Sequence, residues 1–135
     1  MESTPTSLVA LAKEALAYYV LGDTEGMLAM FAEDGVAQIP GDPAIVPWAG
    51  TFVGRELARF HDCVKDTMDV FEYQVRAFEP HGDTVIFHAR ERARVKRTGK
   101  VFYNAHVGFM TFRGDKVVRY LEYGDTGAYQ AAFTD

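Results

Sequence analysis

The chain has 135 residues, of which 48% are apolar, a single cysteine, a formal charge of −5 and a pI near 5.3. That is enough apolar content for one domain with a buried core, over 1–135; the acidic balance argues against a nucleic-acid surface, and one cysteine, Cys63, excludes an intrachain disulfide or a cysteine-built zinc site. The start, Met1–Ser7, lacks the charge and apolar run of a signal peptide, and no apolar run approaches the ~18 residues of a membrane span, so a cytoplasmic setting without membrane contact is expected.

In chain order, Ser7 to Leu21 carries Leu8, Leu11, Ala12, Ala15 and Tyr19 at helical spacing. Gly22-Asp23 ends it, and Asp23 or Thr24 caps a second helix, Glu25 to Phe31. Ala32-Glu33-Asp34-Gly35 reads as a turn, Val36 to Ile39 as a short strand stopped by Pro40-Gly41-Asp42-Pro43, and Pro47 to Gly54 as a loop. A third helix runs from Arg55 to Asp66. Four strands follow, Asp69–Phe78, Thr84–Val95, Val101–Phe112 and Lys116–Tyr123, separated by turns at Pro80–Asp83, Arg97–Lys100 and Arg113–Asp115. Asp125 then precedes a short Ala-rich segment, Thr126 to Phe133, which it would cap. Helices first and a long antiparallel meander after them imply an α+β domain, a curved sheet with helices packed on one face.

Strand parity selects the candidate site residues. On Thr84–Val95 the set Val85, Phe87, Ala89, Ala93 and Val95 is apolar and belongs under the helices, while Ile86, His88, Arg90, Arg92 and Arg94 form the outer face. Glu91 is the odd member of the apolar set. A carboxyl buried there without a partner would hold its proton to an unusually high pH, which marks a functional candidate; the alternatives are pairing with an arginine at the sheet edge or a bulge that flips the parity. On the next strand Phe102, Asn104, His106, Gly108, Met110 and Phe112 share a face and Ala105, Val107, Phe109 and Thr111 the other; both are half apolar, so parity does not choose between them, and His106 could shuttle a proton near neutral pH or be a hydrogen-bonded structural histidine. Arg119, Leu121, Tyr123 and Asp125 share a face at the end of the meander. Asp125 there is either an acid–base group or simply the cap. Tyr19 can offer its hydroxyl to a ligand carbonyl or pack in the core, and Trp48, beside Pro47, can roof an apolar pocket or anchor its loop. His61, His81, His88 and His106 have no metal-ligand spacing, so no metal is expected, and the arginine row reads as a solvated face or dimer contact. No phosphate loop, nucleophile elbow or dinucleotide fingerprint is present.

Three stretches, Phe31-Ala32-Glu33-Asp34, Trp48 to Glu56, and Gly114–Val118 through Glu122–Thr126, resemble the nuclear transport factor 2-like superfamily, in its SnoaL-like polyketide cyclase and ketosteroid-isomerase-like branch. The resemblance implies a cone: a strongly bent antiparallel sheet wrapped over three helices around an apolar cavity, paired into a homodimer through the outer sheet face. The family's positions are not all filled. The ketosteroid isomerase base falls on Ile39, its tyrosine on Ala15 and its oxyanion acid on Gly108, which shares its face with His106 and Asn104, so the resemblance implies that these two reach the cavity. The water-positioning tyrosine and asparagine of limonene epoxide hydrolase fall on Ala37 and Ile39, and only its terminal aspartate is matched, by Asp125. The resemblance therefore implies cyclase- or isomerase-type chemistry without a cofactor. The substrate would be a small hydrophobic carbonyl compound, with Asp125, His106 and Glu91 as catalytic groups and Tyr19, Trp48, Asn104 and Tyr123 as binding groups. A non-catalytic ligand-binding module and an epoxide hydrolase are the alternatives.

Overall fold

A computed structural model describes residues 5–135, so the reading of the first four residues as a polar start lies outside the described residues. The order is α1 (Pro5–Leu21), α2 (Thr24–Ala29), β1 (Phe31–Ile39), β2 (Gly50–Val53), α3 (Glu56–Thr67), β3 (Met68–His81), β4 (Thr84–Val95), β5 (Val101–Arg113), β6 (Lys116–Tyr123) and α4 (Thr126–Phe133). The six strands form one curved, unclosed sheet in the order β2-β1-β6-β5-β4-β3. Among the described residues, no helix is long and apolar enough to cross a membrane.

The helices and the meander fall close to their expected places. Asp23 is the residue that caps α2, accepting from Gly26 N at 2.9 Å. Three features differ. The supposed turn at Ala32–Gly35, together with Phe31 from the expected end of the second helix, is the start of β1, where the chain bulges out between Phe31 and Val36. The supposed loop contains β2, held to β1 in antiparallel register from Val36↔Val53 to Ile39↔Gly50. Gly54 ends β2 with φ +58°, its N–H donating to the Gly35 carbonyl at 2.8 Å, and a Cβ there would lie 2.6 Å from the Glu33 carbonyl, so only glycine fits. The sheet is also not wholly antiparallel: β1 runs parallel to β6, with Ala37 opposite Tyr120. The Ala-rich segment is a fourth helix, added to the three expected.

Alternation on β4 and β5 matches the reading of their faces. Val85, Phe87, Ala89, Glu91, Ala93 and Val95 are buried, as are Phe102, Asn104, His106, Met110 and Phe112. Two apolar clusters pack on this inner face. One joins Leu8, Ala12, Ala15 and Leu16 of α1 to Phe87, Met110 and Val117. The other joins Leu57, Phe60 and Val64 of α3 and Tyr129 and Phe133 of α4 to Trp48, Ile39 and Phe102. His61 is almost wholly buried outside both, between Thr24 Oγ1 at 2.9 Å and the Tyr19 carbonyl at 3.1 Å. Both ring nitrogens are partnered, so His61 fastens α1 and α2 to α3. The candidate cavity lies where the two clusters meet.

Candidate active site

The cavity has a volume of about 60 Å³. Most of its wall is apolar: Ala15, Leu16, Ile39, Leu57, Phe60 and Met110 among others, with Trp48 and Tyr19. Its polar wall comes from four adjacent strands and consists of Tyr73, Glu91, His106, Tyr120 and Glu122.

Cross-strand register assembles this wall. Tyr73, Glu91 and Asn104 stand opposite one another on β3, β4 and β5, so all three share the inner face. The Asn104 amide donates to Glu91 Oε1 at 3.4 Å and lies 3.4 Å from His106 Nδ1. An amide nitrogen can only donate, so His106 Nδ1 accepts and Nε2 carries the hydrogen. That hydrogen faces the Tyr73 hydroxyl at 3.3 Å and Glu122 Oε1 at 3.7 Å. Tyr120 donates to the same Glu122 oxygen at 2.5 Å. The result is a continuous polar chain from Glu91 through Asn104 and His106 to Glu122 and Tyr120.

One end of this chain is open. Glu91 is 5% exposed, and its Oε2 is buried with no hydrogen-bond partner. Burial is the main reason its carboxyl is pushed up to about 7; Glu122 adds to the rise, while His106 and the Asn104 hydrogen bond oppose it. Burial likewise lifts the Tyr19, Tyr73 and Tyr120 hydroxyls well above the usual phenol range, so they stay protonated donors. The Trp48 indole N–H is also buried without a partner. A buried acceptor and a buried donor are thus both unsatisfied on residues that line one cavity, an arrangement that a polar ligand atom would complete.

The sequence-predicted site residues divide accordingly. Glu91, His106, Tyr19 and Trp48 line the cavity, and Asn104 supports two of them from behind. Trp48 is held by α4, with ring centroids 4.9 Å from Tyr129 and 5.9 Å from Phe133. Asp125 and Tyr123 do not line it. Tyr123 is 59% exposed on the outer sheet face, its ring at the edge of Phe109. Asp125 is exposed, and its side chain accepts from Ala128 N at 3.0 Å as the cap of α4. Only its backbone reaches the site, donating to Asn104 Oδ1 at 2.8 Å. Replacing a helix-capping aspartate with alanine costs about 1 kcal/mol. Asp125→Ala is therefore expected to lower the unfolding free energy by that amount in urea titrations, with Asp125→Asn recovering most of it.

Tyr73, Tyr120 and Glu122 escape the sequence reading. The last two sit on the parity opposite to Tyr123, and a bulge hides this. Phe112 pairs with Val117 but Thr111 pairs with Arg119, so Val118 is an extra residue and the inward set changes from Val117 to Tyr120 and Glu122. The spacing Tyr120-x-Glu122, two polar groups on one face of the strand, is the available signal.

The isomerase positions can now be placed. Ala15 and Ile39 line the cavity but bring only carbon to it. Gly108 lies beneath Phe87, whose ring atoms would be 2.3 Å from any Cβ there. Among the described residues, no three His, Cys, Asp or Glu side chains group so as to hold a metal ion.

Comparison with known proteins supports the same fold. A family model, the SnoaL-like domain, matches residues 12–120. No curated protein matches. An NTF2-like protein from Burkholderia xenovorans LB400 is 32% identical, covering 94% of this chain and 95% of its own, with a TM-score of 0.85. TerC, co-crystallised with polyporic acid, is 21% identical over 98% of this chain and 100% of its own, with a TM-score of 0.81. An LEH-like epoxide hydrolase of M. tuberculosis is 12% identical over 95% and 90%, with a TM-score of 0.74. The last two likenesses concern the fold alone. With a six-stranded curved sheet, a cavity beneath it and a family match over most of its length, the chain belongs to the SnoaL-like family of NTF2-like proteins.

Proposed function

We propose that the protein is a cofactor-independent acid–base enzyme that moves a proton on a small hydrophobic carbonyl compound, with Glu91 as the proton-transfer group. The observation that carries this is the unpartnered Glu91 Oε2 in an apolar cavity, on a carboxyl poised near neutrality. A general base works best when its proton affinity lies near the working pH, and burial supplies that here.

The step balances without an oxidant or reductant. Glu91 Oε2 takes a proton from the carbon next to the carbonyl. The C–H electron pair moves into the new C=C bond, and the carbonyl π pair moves onto oxygen, where the Trp48 N–H and the Tyr19 hydroxyl are available donors. Glu91 then returns the proton to another carbon, which is isomerisation. Alternatively, the enolate attacks a second carbonyl of the same molecule, which is an aldol cyclisation. Asn104 fixes the carboxyl through Oε1 and leaves Oε2 free, while the His106–Glu122 pair keeps a second acid–base group beside the reacting atoms. Asp125, turned outward to its helix, takes no part through its side chain.

The test is proton exchange. Small apolar ketones incubated with the protein in D2O should lose their α-proton NMR signals faster than in buffer. The enzymatic rate should rise as Glu91 ionises and level off above about pH 7. No acceleration across a panel of cyclic and linear ketones would leave the protein as a binding module of the same fold.

A further inference from the structure

The inner cavity, at about 60 Å³, is far smaller than the roughly 300–1,000 Å³ of pockets that enclose a drug-sized ligand. A second hollow adjoins it. A groove of about 410 Å³ lies between the end of α1, α3 and the start of β3. Tyr19, Val64, Met68 and Tyr73 line both spaces and form their common wall. The Tyr19 and Tyr73 rings touch within that wall, their centroids 5.6 Å apart.

One side of the groove is apolar, while Lys65, Asp69 and Glu72 line the rest. Val20 is 56% exposed, Phe71 55% and Val70 37%, and all three line it. Phe71 is there because of a bulge: Val70 pairs with Ala93 and Glu72 with Arg92, leaving Phe71 as the extra residue without a partner on β4. Bulges of this kind re-aim a side chain next to functional sites. Large apolar side chains gathered in one exposed hollow mark a binding surface.

We propose that this groove binds the apolar tail of a substrate whose carbonyl head occupies the inner cavity, so that the substrate class is an elongated carbonyl compound with a medium-length hydrocarbon tail. The head's chemistry rests on the acid–base reading given above; the tail site rests on the groove. To reach the groove the tail must part the Tyr19 and Tyr73 rings, which touch in the shared wall; beyond them it lies against Val20, Val70 and Phe71, where it removes their surface from water.

Linear methyl ketones from 2-butanone to 2-dodecanone, kept below their solubility limits, test this. Trp48 is the only tryptophan and lines the inner cavity, so its fluorescence reports occupancy. Once the chain is too long for the inner cavity, Kd should tighten roughly fourfold for each added methylene. In Val20→Ser/Phe71→Ser that gain should vanish for the long members, with 2-butanone binding as before. Both positions are exposed, and thermal unfolding checks that the variant is folded. In the wild type, the terminal methyl of 2-decanone should show nuclear Overhauser contacts to Val20.

A Kd that stays flat beyond 2-butanone overturns the proposal, as does an undiminished chain-length gain in the variant. A variant that changes oligomeric state while keeping that gain also overturns it, and makes the groove a contact between copies. The readout is binding, so long ketones that bind without exchanging protons would sink the acid–base reading and leave the tail site standing. Proton exchange with no dependence on chain length would do the reverse.

Discussion

Glu91→Gln is expected to slow α-proton exchange by roughly 10²- to 10⁴-fold, the usual loss on removing a general base, and at the same time to make the protein more stable above pH 7. The two effects share one cause. Raising a carboxyl from 4.5 to about 7 by burial means that ionising it costs the native state roughly 3 kcal/mol. Its native value exceeds its unfolded one, so the native state holds the proton longer. The contribution is most favourable below pH 4.5, declines between pH 4.5 and 7, and is fully lost above 7. The amide cannot ionise, so the variant loses this decline, and its side-chain carbonyl can still accept from Asn104. Urea unfolding of both proteins at pH 5 and pH 8 measures the difference directly. A variant that is inactive and no more stable at pH 8 would mean that Glu91 is not desolvated in solution. A variant that is more stable and fully active would remove Glu91 from the reaction.

Phe87→Ala is expected to lower stability by about 3–5 kcal/mol, the range for removing a buried aromatic ring. Phe87 is fully buried, stacks on Tyr120 at a centroid distance of 6.2 Å and 9° between planes, and lies edge-on to His106 at 6.3 Å. It therefore fills the core and props two cavity residues. Gly108→Ala alone should also destabilise, by about 1–3 kcal/mol, because the new methyl enters the ring of Phe87. The double variant should be less damaging than the sum of the two singles, since each change relieves part of the other. Chemical denaturation of the four proteins in this cycle gives the coupling. Additive losses would show that the ring does not occupy the space over Gly108. The same contact explains why an isomerase-type acid cannot simply be restored at this position: an aromatic ring already fills the place its side chain would take.

What the sequence discloses follows from where alternation is unbroken. β4 and β5 pair without a slip over their shared length, so parity singles out Glu91, and Asn104 and His106 stay on one face, which the family resemblance at Gly108 turns inward. β3 slips twice, with extra residues at Phe71 and Arg76, and β6 once, at Val118, and parity fails beyond each slip. Parity therefore misses Tyr73, Tyr120 and Glu122, and points to Asp125 and Tyr123 in their place. β2 has only four residues and begins at a glycine with φ +129°, so its local signal is that of a loop; pairing with β1 makes it a strand. The parallel contact of β1 with β6 depends on the curvature of the whole sheet, which no local pattern encodes.

That parallel contact governs how the polypeptide reaches its final form. β6 lies between β1 and β5, so until residues 116–123 have been synthesised the β1–β2 hairpin has no bond to the rest of the sheet. During translation the growing chain can assemble β3, β4 and β5 by nearest-neighbour pairing, while β1 waits with an unpaired edge. Closing it joins segments far apart in the chain, as with Ala37 and Tyr120, and such long-range closure is slow. α4 then seals the join, Tyr129 donating to the Pro40 carbonyl and its ring leaning on Trp48. The inner cavity is thus among the last parts to exist, and an interrupted chain would expose a strand edge rather than a partly formed site.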